Sequence, residues 1–497
     1  MTRKAILPPR PARGPALSWD LGDKLREECG VFGIFGNDEA AAHTVLGLHA
    51  LQHRGQEAAG VVTFDGRMFH NHRALGLVGD HFSSEPVIAA LPGHAAIGHV
   101  RYSTQGAPLL RNVQPLYADF AFGGLALAHN GNLTNALTLR RELVEQGCLF
   151  QSTSDTEVII HLIARSRQPS VVERLVDALA QVEGAYALVA LSGSALYGVR
   201  DPLGVRPLVL GELDGAPILA SESCALDIMG ARFVRDIAPG EVFTVTASGA
   251  ETLMPFSPRA KRFCIFEYVY FARPDSAVEG HSVYETRKRI GAELAKEHPA
   301  PADLVIPVPD SGVPAAIGFA QAAALPFELG LIRNHYVGRT FIEPSDRIRH
   351  LGVKLKHNAN HATVTGKRVV LVDDSIVRGT TSTKIVAMIR QAGATEVHMR
   401  VASPPTTHSC FYGVDTPERG QLLAAQHDLE AMARIIGVDS LAFLSLDGLY
   451  RAVGGMRRDA TQPLFCDACF SGDYPTELED IGRGGAADQL SLMLEDA

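Results

Sequence analysis

Apolar and polar positions follow two different rhythms along this chain. Up to about residue 255, strand-like runs at 30–36, 95–102, 123–128, 185–191, 196–199 and 241–245 alternate with turns. Helical spacing interrupts them at 40–52, 133–146, 156–165 and 170–180. Such a mixture predicts an α+β unit of stacked sheets with flanking helices. From Arg262 onward helices and strands take turns: 284–298 reads as helix, 304–308 as strand, 313–323 as helix and 369–372 as a buried strand. That alternation predicts an α/β unit on a parallel sheet. The first 28 residues stand apart, because Pro8, Pro9, Pro11 and Pro15 deny them regular structure.

The strand at 369–372 leads into Asp373-Asp374-Ser375-Ile376-Val377-Arg378-Gly379-Thr380-Thr381-Ser382, ahead of an apolar-periodic run from Ile385. Ligands of open α/β sheets bind beyond the carboxyl ends of strands. Free N–H groups facing a helix start cradle phosphate. Gly379 lets the backbone approach a ligand, Thr380, Thr381 and Ser382 add donors, and Arg378 adds charge. The paired carboxylates can hold a ribose by its hydroxyls, or a hydrated metal. A phosphorylated sugar fits this layout. A triphosphate fits poorly, since the one Gly-Lys pair, Gly366-Lys367, precedes the strand and forms no Walker A loop.

Composition narrows the class. A chain of 497 residues exceeds one typical core, so two or three domains are expected. With 46% apolar and 20% charged residues it is an ordinary folded enzyme rather than a disordered chain. A net charge of −9 argues against nucleic acid as the main partner. No apolar run reaches the roughly 18 residues of a membrane helix, and no secretory h-region opens the chain, so a cytoplasmic location is expected. Seven cysteines there are expected to be ligands or catalytic groups rather than disulfides. The pair Cys466-Asp467-Ala468-Cys469, with Cys264 and Cys410 upstream, could bind zinc or an iron–sulfur cluster.

Five motifs in order change the picture of the front half: Cys29-Gly30-Val31-Phe32-Gly33, Leu51-Gln52-His53-Arg54-Gly55-Gln56-Glu57, Gly98-His99-Val100-Arg101-Tyr102-Ser103-Thr104, His129-Asn130-Gly131-Asn132-Leu133 and Ser154-Asp155-Thr156-Glu157. Together they resemble the class II glutamine amidotransferase domain, an N-terminal nucleophile hydrolase. The resemblance implies that Cys29 is the nucleophile, with its own α-amino group as base. It also implies that Asn130 and the N–H of Gly131 form the oxyanion hole, that Arg101 binds the glutamine α-carboxylate and that Asp155 binds its α-ammonium. Residues 1–28 are then a propeptide, because a mid-chain Cys29 carries an amide that cannot act as a base. His53, His99 and His129 read as structural, and Cys148 and Cys224 as ordinary core or surface residues.

The segment 369–382 resembles the phosphoribosyl diphosphate (PRPP) signature of type I phosphoribosyltransferases. Joined in one chain, the two halves resemble the amidophosphoribosyltransferases, and the four scattered cysteines match their iron–sulfur branch. That family transfers ammonia, released from glutamine, to C1 of PRPP, giving phosphoribosylamine, glutamate and pyrophosphate, the first committed step of purine nucleotide synthesis. The resemblance implies PRPP contacts from Asp373, Asp374, Ser375, Arg378, Gly379, Thr380 and Thr381, from the turn Asp310-Ser311-Gly312, and from Lys354. Ser311, Asp373 and Asp374 match a magnesium site. Cys264, Cys410, Cys466 and Cys469 match the ligands of one 4Fe–4S cluster. Phe263 to Ser276 resembles the junction between the halves, and the basic run from Arg333 a loop that closes over PRPP. Asp346 and His357 depart from the family pattern there. The expected domains are 1–28, 29–258, 259–445 and a cluster-binding tail at 446–497. Purine nucleotides as inhibitors, and a homotetramer or homodimer, follow from the family. Glucosamine-phosphate and asparagine synthesis are disfavoured, since no sugar-isomerase or ATP-pyrophosphatase motif is present. A regulator that binds PRPP without catalysis would need none of Cys29, Arg101, Asn130 and Asp155.

Overall fold

The computed structural model describes residues 26–27, 29–102, 109–334 and 357–480. In chain order the first unit contains β1 (Cys29–Phe35), β2 (Ala58–Phe64), β3 (Phe69–Leu75), β4 (Ala95–Arg101), β5 (Leu116–Phe120), β6 (Gly123–Leu133) and β7 (Gly184–Ser192). It continues with β8 (Ala195–Arg200), β9 (Val209–Leu213), β10 (Ala216–Ala220), β11 (Arg232–Asp236), β12 (Val242–Thr246) and β13 (Gly249–Leu253). One antiparallel sheet runs β11-β9-β10-β1-β4-β2-β3, and a second runs β13-β12-β8-β7-β6-β5. Helix α1 (Ala40–Ala50) covers the first sheet, and α2 (Ala136–Glu145), α3 (Thr156–Arg165) and α4 (Val171–Leu179) cover the second.

Strand alternation explains this layering. Along β1, Phe32 and Ile34 enter the core beneath α1, while Val31 enters the core between the sheets. Along β6, Leu125, Leu127 and Leu133 pack under the helices, and Ala126 and Ala128 face the other sheet. The helix expected from residue 133 starts only at Ala136, because β6 runs on to Leu133, which pairs with Gly184. Both faces of Ala58–Phe64 are largely buried, so β2 shows none of the alternation that would have announced it.

The second unit contains β14 (Phe263–Cys264), a π-helical turn at Glu267–Phe271, α5 (Val283–Glu297), β15 (Leu304–Pro307), α6 (Val313–Ala323) and β16 (Arg368–Asp373). After these come α7 (Thr380–Gln391), β17 (Glu396–Val401), β18 (Ser440–Phe443), α8 (Leu446–Val453) and β19 (Phe465–Cys466). Strands β15-β16-β17-β18 form a parallel sheet. Its two faces carry separate cores, one shared with the π-turn, α5, α6 and α8, the other with α7. No helix of the described residues is long and apolar enough to cross a membrane.

Candidate active site

Cys29 heads β1 and shares the face of Val31, which looks onto the second sheet. Arg101 ends β4 directly opposite Cys29, on the face of Ala95 and Ile97. Asn130 lies on β6 two and four residues beyond the inward-facing Ala128 and Ala126. Alternation therefore turns Cys29, Arg101 and Asn130 toward the same inter-sheet space. His99 ties the sheets together at this end, its Nε2 lying 3.0 Å from the His129 carbonyl oxygen. Burial holds His99 down to about 3 and also lowers His129, so both rings are neutral and brace the site.

The Asn130 amide is fully buried, and neither its Nδ2 nor its Oδ1 meets a partner among the described residues. Gly131 follows at φ +140°, where a Cβ would stand 2.0 Å from the Ala185 carbonyl oxygen. Only glycine fits there. Asp155 sits just before α3, and its Oδ2 accepts the Leu133 N–H at 3.1 Å, so the carboxylate is anchored to the end of β6.

In the second unit the carboxyl end of β16 presents Asp373, Asp374 and Ser375, all buried. The Asp374 N–H donates to Asp373 Oδ1 at 3.0 Å, and the Ser375 hydroxyl donates to Asp374 Oδ1 at 2.8 Å. Gly379, at φ +79°, turns the chain into α7, with Thr380 exposed and Thr381 half-buried on its first turn. Arg378 is exposed, and its Nη2 donates to Gln421 Oε1 at 3.0 Å. The turn carrying Asp310, Ser311 and Gly312 precedes α6 and packs on β16, since the Val308 N–H donates to the Val372 carbonyl at 2.8 Å. Asp310 Oδ2 accepts Arg333 Nη1 at 2.5 Å. Lys354 and the basic stretch 335–356 lie outside the described residues.

The four cysteines converge. Cys264 pairs with Cys466 in the parallel ladder of β14 and β19. The Cys469 carbonyl accepts the Thr407 and His408 N–H groups at 3.0 and 3.1 Å, and Cys410 Sγ accepts the Tyr412 N–H at 3.4 Å. Burial, helped by Glu267 and the neighbouring Cys410 and opposed by Arg206, pushes the Cys264 thiol up to about 12. Cys466 and Cys469 are also pushed well up, by burial first and then by the other thiols. Among the described residues no group of three or more His, Cys, Asp or Glu side chains gathers tightly enough to hold one metal ion. Thiols are the donors that a zinc ion or an iron–sulfur cluster takes. Cys224 is a buried core thiol, pushed up by burial, and Cys148 packs beneath the helices.

One connection had no signal in the sequence. The segment after Cys410 seats against the first unit: Asn132 Nδ2 donates to the Phe411 carbonyl at 2.9 Å, and Arg206 Nε to that of Tyr412 at 2.8 Å. A Cβ on Gly413 would lie 3.0 Å from Gly131 Cα. Buried arginines Arg54 and Arg206, with Glu222 and Glu267, fill the same seam.

The fold and these two centres define a glutamine amidotransferase fused to a phosphoribosyltransferase. The family described as the glutamine amidotransferase domain matches residues 99–227. An amidophosphoribosyltransferase of Rhizobium etli is 59% identical over 478 residues, covering 95% of this chain and 96% of that one. The Bacillus subtilis amidophosphoribosyltransferase is 48% identical over 91% of this chain and 95% of its own length. A solved structure of the B. subtilis glutamine PRPP amidotransferase, complexed with ADP and GMP, superposes with a TM-score of 0.86 at 46% identity, covering 90% of this chain and 98% of that one. The chain belongs to the amidophosphoribosyltransferase family. It moves ammonia from glutamine to C1 of PRPP, releasing glutamate and pyrophosphate, in the first committed step of purine nucleotide synthesis.

Proposed function

We propose that residues 29–258 carry the glutaminase, that 259–445 carry the phosphoribosyltransferase, and that ammonia passes between them within the closed chain. The observation that carries this reading is the unsatisfied Asn130 amide, buried on the sheet face opposite Cys29. Cys29 attacks the glutamine side-chain amide. Its own α-amino group takes the thiol proton and delivers it to the nitrogen as the C–N bond breaks and ammonia leaves. Water then cleaves the Cys29 thioester, releasing glutamate and restoring the thiol. Asn130 Nδ2 and the Gly131 N–H receive the oxyanion, Arg101 holds the α-carboxylate and Asp155 the α-ammonium. At the other centre Asp373 and Asp374 hold the ribose hydroxyls. The Gly379-Thr380-Thr381 turn, with Ser375 and Arg378, receives the 5-phosphate, and the turn at Asp310, Ser311 and Gly312, with Lys354, receives the pyrophosphate.

Two buried carboxylates at a strand end, with the Ser311 hydroxyl on the adjoining turn, suit magnesium carried in with its own waters and the substrate phosphates. Held by Asp373, Asp374 and Ser311, magnesium would supply positive charge against the departing pyrophosphate. Cys264, Cys410, Cys466 and Cys469 would hold a 4Fe–4S cluster that pins the tail at 446–480 to the junction. Purine nucleotides as inhibitors are part of this proposal, supported by the ADP and GMP in the related B. subtilis structure. So is a cytoplasmic location.

The base assigned to Cys29 requires removal of residues 1–28. Residues Arg26–Glu27 pair with Asp415 and Val414, in the strip just past Gly413. N-terminal sequencing of active enzyme is expected to begin Cys-Gly-Val-Phe. Its fluorescence should lack tryptophan emission, since Trp19 is the chain's one tryptophan. Full activity with Trp19 retained in every chain would contradict the assignment. Cys29→Ala should abolish pyrophosphate release driven by glutamine and keep that driven by ammonia; loss of both would place Cys29 outside the glutaminase.

A further inference from the structure

Glu267 and Arg287 belong to neither centre, yet each grips backbone or side chains that lead to one. Glu267 opens the π-turn Glu267–Phe271, and its carboxylate is fully buried. Arg54 Nη2 donates to its Oε2 at 2.8 Å, and Arg206 Nη1 to its Oε1 at 3.3 Å. Arg54 lies in the turn after α1, where Glu57 donates its N–H to the Arg101 carbonyl at 3.0 Å. The same turn presses so closely on β4 that a Cβ on Gly55 would stand 2.6 Å from the Arg101 nitrogen. Arg206 holds the Tyr412 carbonyl, one residue from the Gly413 that abuts Gly131. Through these two arginines the Glu267 carboxylate is mechanically tied to both sides of the glutamine centre.

The opposite end of the π-turn is held from the second unit. Arg287 of α5 is 3% exposed, and it donates from Nε to the Tyr268 carbonyl at 3.0 Å and from Nη2 to the Ala272 carbonyl at 2.7 Å. Its helix lies tight against α6, which follows the Asp310-Ser311-Gly312 turn: a Cβ on Gly291 would stand 1.8 Å from the Ala315 carbonyl oxygen, and one on Gly318 1.9 Å from that of Lys288. Single π-turns are uncommon and frequently mark functional sites.

We propose that Glu267 and Arg287 are positioning residues that couple the two centres through the π-turn, which acts as a strut fixed at its carboxylate by the glutaminase and at its carbonyls by the phosphoribosyltransferase. A shift of the Asp310-Ser311-Gly312 turn on binding its ligand moves α6 against α5 and with it Arg287, and the strut passes this to Arg54 and Arg206. Taking the charge from Glu267 removes the carboxylate that Arg54 and Arg206 share, while Arg54 keeps Glu222. Lysine at 287 keeps the charge but loses the fork that spans two carbonyls. The inference rests on the assignment of the two centres made above.

The test uses mature full-length enzyme carrying Glu267→Gln or Arg287→Lys. Three rates are compared with the parent: glutamine-driven pyrophosphate release, ammonia-driven pyrophosphate release, and glutamate formed per pyrophosphate. Glutamine-driven release is expected to fall by about tenfold to a hundredfold, the size associated with small misplacements of reacting groups. Ammonia-driven release and the PRPP KM should stay near the parent values, and glutamate per pyrophosphate should rise severalfold above one. A purely structural role would lower both release rates together and leave the ratio at one, and that outcome overturns the proposal. If Glu267→Gln does not fold, the ratio measured for Arg287→Lys decides. A parent enzyme without ammonia-driven release would instead refute the assignment of the centres.

Discussion

Asn130 keeps a buried amide whose two polar atoms find no partner among the described residues, a costly arrangement unless a ligand completes it. Asn130→Ala is therefore expected to lower the glutaminase kcat by about a hundredfold to a thousandfold, while ammonia-driven synthesis survives. An equal loss in both assays would argue against an oxyanion role. His99 yields a prediction of a different kind. Folded, its ring stays neutral down to about 3; unfolded, it takes a proton below its ordinary 6.5. Between those values the unfolded chain binds more protons, so this contribution to stability is complete above about 6.5 and is lost as pH falls toward 3. His99→Gln, which can still donate to the His129 carbonyl, should flatten the acid limb of stability measured by urea unfolding across that window. An unchanged limb would mean that other groups set it. At this scale the sequence was highly legible: Cys29, Arg101, Asn130 and Gly131 stood in recognisable motifs, and strand parity alone turns three of them toward one space. Glu267 and Arg206 were not legible as partners, because a buried ion pair between residues 61 apart leaves no local pattern.

Among the elements, those with a clean period were readable and those without one were not. The strand at Cys29–Phe35 and the amphipathic helix at Thr156–Arg165 carry their burial in the sequence. Strand β3 does not, because its His70, Asn71, His72 and Arg73 read as a polar loop, and only pairing with β2 makes them an edge strand. The two-residue ladder of β14 and β19 is shorter still, extended by the Ile265 N–H donating to the Cys466 carbonyl at 3.1 Å and by Tyr268 and Tyr450 packing edge-on against Phe465. A cluster bound by the four cysteines would add a covalent hold to it. Protein purified without air is thus expected to be brown with about four irons per chain, each cluster needing four thiolates. Oxygen should bleach and inactivate it as sulfide and thiolate oxidise. A colourless, active protein carrying one zinc would contradict the ligand assignment.

Across the whole molecule, two centres with separate chemistry share one seam, where Phe411, Tyr412 and Gly413 of the second unit rest on Asn132, Arg206 and Gly131 of the first. Asp373→Asn should accordingly abolish synthesis from both glutamine and ammonia while leaving slow glutamine hydrolysis at its PRPP-free rate. Loss of that hydrolysis as well would mean that the centres are not autonomous. The most direct test of the account is the stoichiometry of the parent enzyme, purified without air and supplied with magnesium, glutamine and PRPP. Pyrophosphate and glutamate are expected to appear one for one, with neither formed at that rate when PRPP is omitted. Glutamate without pyrophosphate, or no pyrophosphate at all, would contradict the claim that this chain delivers glutamine-derived ammonia to the sugar carbon.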